Sequence, residues 1–396
     1  AASSSAALDE ATTVTASTTA TTAQADTIAA FGTAVVYNVS GTAAEIVAAS
    51  AGARNEAVNI TITGDATIAQ ATTAEDASNS GSVVVGTISD TAAAIAASTN
   101  LVITNSAGAV TASTTATTAQ AATIAAFSQA VVYNVSGTAA EIVAASAGAR
   151  NEAVNITITG DATIAQATTA EDASNSGSVV VGTISDTAAA IAASTNLVIT
   201  NSAGAVTASD AATVAEATTI DAFAKAVVFA VSDTATAIAA SSSAALDEAT
   251  TVTASTAATV AEATTIDAFA KAVVFAVSDT ATAIAASSSA ALDEATTVTA
   301  STTATTAQAD TIAAFGTAVV YNVSGTAAEI VAASAGARNE AVNITITGDA
   351  TIAQATTAED ASNSGSVVVG TISDTAAAIA ASTNLVITNS AGAVTA

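Results

Sequence analysis

Thirty-three carboxylates against five Lys and Arg residues make acid the main chemical resource of this 396-residue chain. Adjacent pairs recur along it, Asp247-Glu248 and Glu75-Asp76, and such a pair can bind a hard cation such as calcium or divide general acid and base work. Neighbouring residues on a helix point about 100° apart, so these pairs read instead as a solvated polar face. Neither a G-G-x-G-x-D calcium roll nor an EF-hand loop occurs. The expectation is no cofactor and no dedicated metal site, with weak Ca²⁺ association as an ion atmosphere around an acidic surface.

A hydroxyl stands beside a carboxylate at Ser89-Asp90, Ser185-Asp186, Ser232-Asp233, Ser278-Asp279 and Ser373-Asp374. Nucleophilic catalysis would need a base next to the serine, and the chain has neither His nor Cys. Capping is the better account, with Asp90, Asp186, Asp233, Asp279 and Asp374 as helix N-caps. Glycines are scattered singly, with no phosphate-binding loop and its lysine after a strand. The chain is therefore not expected to be an enzyme. Thr61 and Thr63, with Thr251 and Thr253, are candidates for a binding face, a hydroxyl array on a parallel sheet that would take ice, a glycan or a partner protein. The β-propensity of threonine on a solvated face explains them without any ligand. Asn38, Asn59, Asn134, Asn155, Asn322 and Asn343 each open an Asn-x-Ser/Thr sequon.

The formal net charge is −28, which repels nucleic-acid phosphates and anionic lipid. Uninterrupted apolar runs such as Ala226 to Val231 fall far short of the ~18 to 20 residues a membrane span needs. No disulfide framework is available without Cys. Ten aromatic residues, seven Phe and three Tyr, among much alanine allow only a thin core between closely spaced elements. Because the first residue is Ala1 and no Met occurs, the chain reads as a processed product, a fragment or part of something longer.

Internal repetition decides the architecture. Residues 18 to 112 recur unchanged at 302 to 396, and at 114 to 208 with Asp26, Gly32 and Thr33 replaced by Ala122, Ser128 and Gln129. Residues 210 to 255 recur at 256 to 301 with Asp210 replaced by Thr256, and residues 1 to 17 match 239 to 255 as a partial repeat. From 18 to 396 runs one continuous array of eight units of 46 to 49 residues: 18–64, 65–113, 114–160, 161–209, 210–255, 256–301, 302–348 and 349–396. Such exact copies imply recent duplication, gene conversion or a designed array.

Each unit divides again. At 210 the spacing predicts a helix (Asp210 to Ala226), a strand (Val227 to Val231), a helix (Thr234 to Ala249) and a strand (Thr250 to Ala254). Thr42 with Glu45 makes a capping box, and all five cations, Arg54, Arg150, Lys225, Lys271 and Arg338, fall near helix C-termini. In the diverged units Gly86, Gly182 and Gly370 stand where others carry an aromatic, and Asn79-Ser80-Gly81 marks a loop. A five-residue strand spans ~17 Å and a twelve-residue helix ~18 Å, so each half-unit goes out and back once. The fold class is α/β: a right-handed repeat solenoid of stacked β-α coils, with parallel strands, Ala-rich helices and about 23 residues per coil. Whether one turn holds one coil or two stays open.

The step Val231-Ser232-Asp233-Thr234-Ala235 and its counterpart Ile88-Ser89-Asp90-Thr91-Ala92-Ala93, each followed by an alanine-rich helix and Thr-Val-Thr strand, resemble tandem repeats of large acidic bacterial secreted and cell-surface proteins. These include RTX-adhesin arrays, and the composition is similar to S-layer proteins. The resemblance implies an extracellular or cell-surface scaffold and no catalytic residue; the RTX calcium nonapeptide is missing. The array opens in mid-helix and stops on a strand, which predicts a window of a longer array or a protomer that self-associates end to end into filaments. The expected function is a structural repeat protein of a fibre, sheath or surface layer, with a binding module or adhesin stalk as the alternative.

Overall fold

A computed structural model describes residues 8, 10–99, 107–194, 203–242, 244–288, 290–382 and 391–396. Of the partial repeat 1–17 expected to open the array, residues 1–7 and 9 lie outside them. The chain is α/β and alternates parallel strands with short helices. It divides into two compact units, Ala1–Asp186 with Ser194–Thr207, and Thr187–Ala193 with Ala208–Ala396.

The first long block shows how the elements arise. Strand β1 (Val14–Thr15) is followed by α1 (Thr22–Ala29), β2 (Val35–Val36), β3 (Val39–Gly41), α2 (Ala43–Ala48), α3 (Ala51–Asn55), β4 (Ile60–Ala66), α4 (Ile68–Glu75), β5 (Val83–Asp90), α5 (Ala92–Ala97) and β6 (Ala107–Ala112). Each strand pairs with the next strand segment that follows a helical stretch: Val39 lies opposite Ile60, Ile60 opposite Val83 and Val85 opposite Ala107. The partner is 19 to 23 residues further along, from Ala304↔Val323 (323 − 304) to Ile60↔Val83 (83 − 60).

In the first unit the sheets are β1-β2, then β3-β4-β5-β6 extended by Val131–Val132, and a parallel set of Val135–Thr138, Ile156–Ala162 and Val179–Asp186. In the second unit Val228–Asp233, Val252–Ala254 and Val273–Val274 pair in order, as do Val277–Asp279, Val298–Ala300 and Val319–Val320. Its last sheet runs Ala304–Thr305, Val323–Thr326, Ile344–Ala350, Val367–Ser373 and Ala391–Thr395.

Inward side chains alternate along the strands except at the irregularity beside Gly86, where Val85 and Ile88 are three residues apart. Tyr37 and Val39, Ile60 and Ile62, Val85 and Ile88 are all buried, and they meet Ile46, Ala53, Ala71, Ala74 and Ile95 from the helices. Alanine on the inner helix faces lets helix and sheet approach closely, which is why so few large side chains suffice.

Helices are shorter than the spacing predicts. The stretch 234 to 249 is two helices, Ala235–Ala240 and Ala244–Asp247, and α2 and α3 are the same break in the long block. Ala49 turns extended, at φ −61° and ψ 152°, and Ser50 then caps α3 by accepting from Ala53 N–H at 3.1 Å. Apolar spacing continues through this corner, so periodicity alone does not reveal it. Likewise Asp210 belongs to the strand Ala203–Ala212, and the helix begins at Val214 behind Thr213, whose capping box with Glu216 supplies the start signal.

Gly86 is not the gap left by a missing ring. It sits exposed at a sheet irregularity, in a column with Gly64, whose φ is +81°, and Gly108. A Cβ on Gly108 would lie 2.8 Å from the Gly86 carbonyl oxygen, so the close approach itself requires glycine.

Candidate functional site

The Ser-Asp steps join successive strand-helix segments. Asp90, Asp233, Asp279 and Asp374 are not N-caps: Thr91, Thr234, Thr280 and Thr375 are, each hydroxyl accepting from the amide three residues on. Asp186 differs in the same way, since the Ala190 amide donates to Thr187. Each aspartate stands one residue earlier, where one carboxylate spans two helix starts. Asp90 accepts from Thr91 N–H at 2.7 Å through Oδ1 and, through Oδ2, from Ile68 N–H at 2.9 Å, the first amide of the preceding helix α4. Asp233 does the same for Val214, Asp279 for Val260 and Asp374 for Ile352, while Asp186 reaches Ile164. Helix N-terminal amides have no partner within their own helix, and a carboxylate there also complements the macrodipole.

Other strand-helix segments make this joint with threonine or with Asp210. Ala92 N–H donates to Thr114, Ala235 N–H to Thr256 and Ala281 N–H to Thr302, and Ala188 N–H to Asp210. The Asp210-to-Thr256 difference between copies therefore exchanges one acceptor for another. Asp26 and Asp310 each accept from the amide opening the next coil's second short helix, Ser50 and Ser334, at 2.7 Å, whereas Ala122 in the middle copy offers no such acceptor. This bond is the leading cause holding the Asp26 carboxyl below its ordinary value.

An asparagine ladder also ties successive segments. Asn38 Oδ1 accepts from Asn59 through both its backbone N–H and Nδ2, and Asn59 Oδ1 in turn accepts from Ser82 N–H and Oγ. The sets Asn134, Asn155, Ser178 and Asn322, Asn343, Ser366 repeat it. The sequon asparagines are thus rungs, and Gly81 is required beside them because a Cβ there would come 2.4 Å from Asn59 Oδ1. Inside, Tyr37 donates its hydroxyl to Ala53 O at 2.9 Å, and burial pushes its pKa up to about 12. Arg54 closes the α2 C-terminus by donating from Nη1 to the carbonyls of Ile46, Val47 and Ala49.

The carboxylate pairs stay apart from one another. Glu75 ends α4 and Asp76 is its C-cap. Glu75 Oε1 is buried without a partner, as are Oε1 of Glu171 and Glu359, and desolvation, then the neighbouring aspartate, raises all three pKa values. Glu248 reaches a cleft of about 260 Å³ lined also by Phe223, Lys225 and Phe229. The first unit holds a cavity of about 550 Å³ between Val14, Gln24, Ile28 and Phe31, with no titratable lining. Among the described residues, no three acidic side chains converge to hold a metal ion, and no helix is long and apolar enough to cross a membrane.

No family model matches the chain, and no curated protein matches it.

Within its own unit, each candidate threonine lies on the side of the strand away from the buried side chains. Thr63, Thr251 and Thr253 are exposed and Thr61 is half-buried. Register places Thr61 between Ser40 and Val84, and Thr253 between Ser232 and Val274. Each register row thus runs Ser, Thr, Val, and the valines fall on alternate strand runs, one to each sequence unit. The sequence shows this interruption, since alternate strands carry Val36 and Asn38 at those places and alternation turns every second residue outward.

Proposed function

We propose that the chain is a structural repeat protein of an extracellular fibre, sheath or surface layer, its coils stacking as a right-handed solenoid with one β-α coil per turn. The observation that carries this reading is the joint between coils: helix amides from Ile68 to Ile352 are satisfied by an Asp or Thr of the following coil. A side chain placed to complete its neighbour serves assembly, and the strand pairing at 19 to 23 residues fits one coil per turn. End-to-end self-association into filaments belongs to the same proposal, as does a location outside the cell. We read no enzymatic role, no nucleic-acid partner and no cofactor beyond loosely held Ca²⁺.

The alternative, a binding module or adhesin stalk, draws on the exposed Ser-Thr-Val face. Electron microscopy of the purified chain separates the two. Continuous filaments with an axial repeat matching the units support the structural role, and separate short rods remove it.

A further inference from the structure

We infer that the outer strand face of each unit is an interface for a second copy of this chain, packed sheet against sheet. In the first unit Val36, Val84, Val132 and Val180 are 48 to 52% exposed, and in the second Val228, Val274, Val320 and Val368 are 48 to 52% exposed. Exposed large apolar side chains are informative when they recur in one place. Of the exposed large hydrophobics outside this set, Val47, Val143 and Val331 lie on helices and Val394 on a strand.

The valines are not isolated. Val84 lies beside Thr61, Val132 beside Thr111, Val274 beside Thr253 and Val368 beside Thr345. A strip of Ser, Thr and Val without a charged side chain therefore recurs along each unit. The exposed Asp65 lies outside it, beyond the bulge at Gly64.

Two arguments choose the occupant. At a net charge of −28, two copies repel each other wherever carboxylates face, and the uncharged strip is where they can approach. A basic partner would be drawn instead to the acidic groups and would leave the valines wet. Periodicity is the second argument. A second copy carries the same Thr-Val pairs at the same spacing, so a two-fold contact matches pair to pair at every repeat, whereas a partner without that repeat matches at one pair. Flat faces of β-branched residues pack at about 10 Å by interdigitation.

The inference leans on the scaffold reading only for a strand face left free along each unit, and the two fail separately: filament length tests stacking, whereas this contact doubles mass without lengthening. Mass per unit length of particles of the full chain, measured by scanning transmission electron microscopy over a concentration series at physiological salt, should be twice the single-chain value, the mark of a side-by-side dimer. Replacing Val84→Glu, Val180→Glu, Val320→Glu and Val368→Glu together should weaken it at least about tenfold by opposing like charges. The milder set Val84→Thr, Val180→Thr, Val320→Thr and Val368→Thr, which keeps β-branching, should weaken it less, with far-UV circular dichroism unchanged. Val47→Glu with Val143→Glu and Val331→Glu, on helices, should leave it intact. A wild-type chain at the single-chain value, dimerisation indifferent to both strand sets, or equal loss in the helix variant overturns the inference. So does a monomer that shapes ice crystals and loses that property with the strand valines, since the face would then belong to ice.

Discussion

Glu75 and Glu45 show how the same side chain is placed to opposite effect. Glu75 ends a helix with one oxygen buried among groups that donate nothing to it, and its pKa is raised by desolvation and then by Asp76. Glu45 closes a capping box, accepting from the backbone and hydroxyl of Thr42, and its pKa is lowered. The folded state binds the Glu75 proton more tightly than the unfolded chain does, so stability rises as pH falls through that raised value. Glu45, Glu141, Glu262, Glu329 and Asp26 contribute stability above the ordinary carboxylate range and lose it as pH falls through their lowered values. Thermal stability should therefore peak at mildly acidic pH. The triple variant Glu75→Gln, Glu171→Gln, Glu359→Gln should remove the decline on the neutral side and leave the acid side unchanged, read from melts between about pH 7 and pH 4; an unaltered neutral limb would refute the assignment. Ala122 offers the converse experiment. Ala122→Asp should recreate the bond that Asp26 makes to Ser50, slowing hydrogen exchange at the Ser146 amide towards that of Ser334.

At the scale of elements, strand and helix alternation was legible because inward Val, Ile and Tyr recur at period two and Ala and Ile at helical spacing. The corner at Ala49-Ser50 was not, since alanine and serine fit a helix and a turn equally and the decision falls to Ser50 capping and Arg54 covering the freed carbonyls. The aspartates were misplaced by one residue for a related reason. Local sequence shows Asp as a good cap, while the competing acceptor demand comes from an amide 22 residues earlier, as Ile68 is from Asp90. Val36 was legible as an interruption of the threonine face, because strand alternation sets it opposite in direction to Val35 and Tyr37. Glycine positions test the packing that results. Gly108→Ala forces a Cβ against backbone and should cost about 1 to 3 kcal/mol in urea unfolding. Gly32→Ala meets nothing within 4 Å, and the middle copy already carries Ser128 there; it should change stability by less than about 0.5 kcal/mol. Equal costs at the two positions would contradict the glycine column.

For the molecule as a whole, 33 acidic groups against 5 basic ones set a cost on compactness that salt relieves. Raising ionic strength from about 0.01 M to 0.15 M shortens the screening length from roughly 30 Å to 8 Å. The midpoint of thermal unfolding should rise by several degrees over that range, as followed by circular dichroism, and a midpoint independent of salt would show that the carboxylates lie too far apart to repel. The fold class was readable because repetition multiplies a weak pattern, and the exclusion of thiol and imidazole chemistry follows from absent residue types. What reading in one dimension misses is the set of polar side chains that answer to a segment about 20 residues away, as Asp90 does to Ile68 and Asn38 to Asn59.

The borrowed helix cap gives the array a direction. Since Ile68 is completed by Asp90 and Ala92 by Thr114, peeling away a later strand-helix segment strips the first amide of the helix before it, whereas among the described residues the reverse loss reaches a helix start at Ser50 and Ser334, which donate to the earlier Asp26 and Asp310. Damage should therefore spread mainly towards lower residue numbers, and a nascent chain would hold each such helix provisionally until about one more segment has left the ribosome.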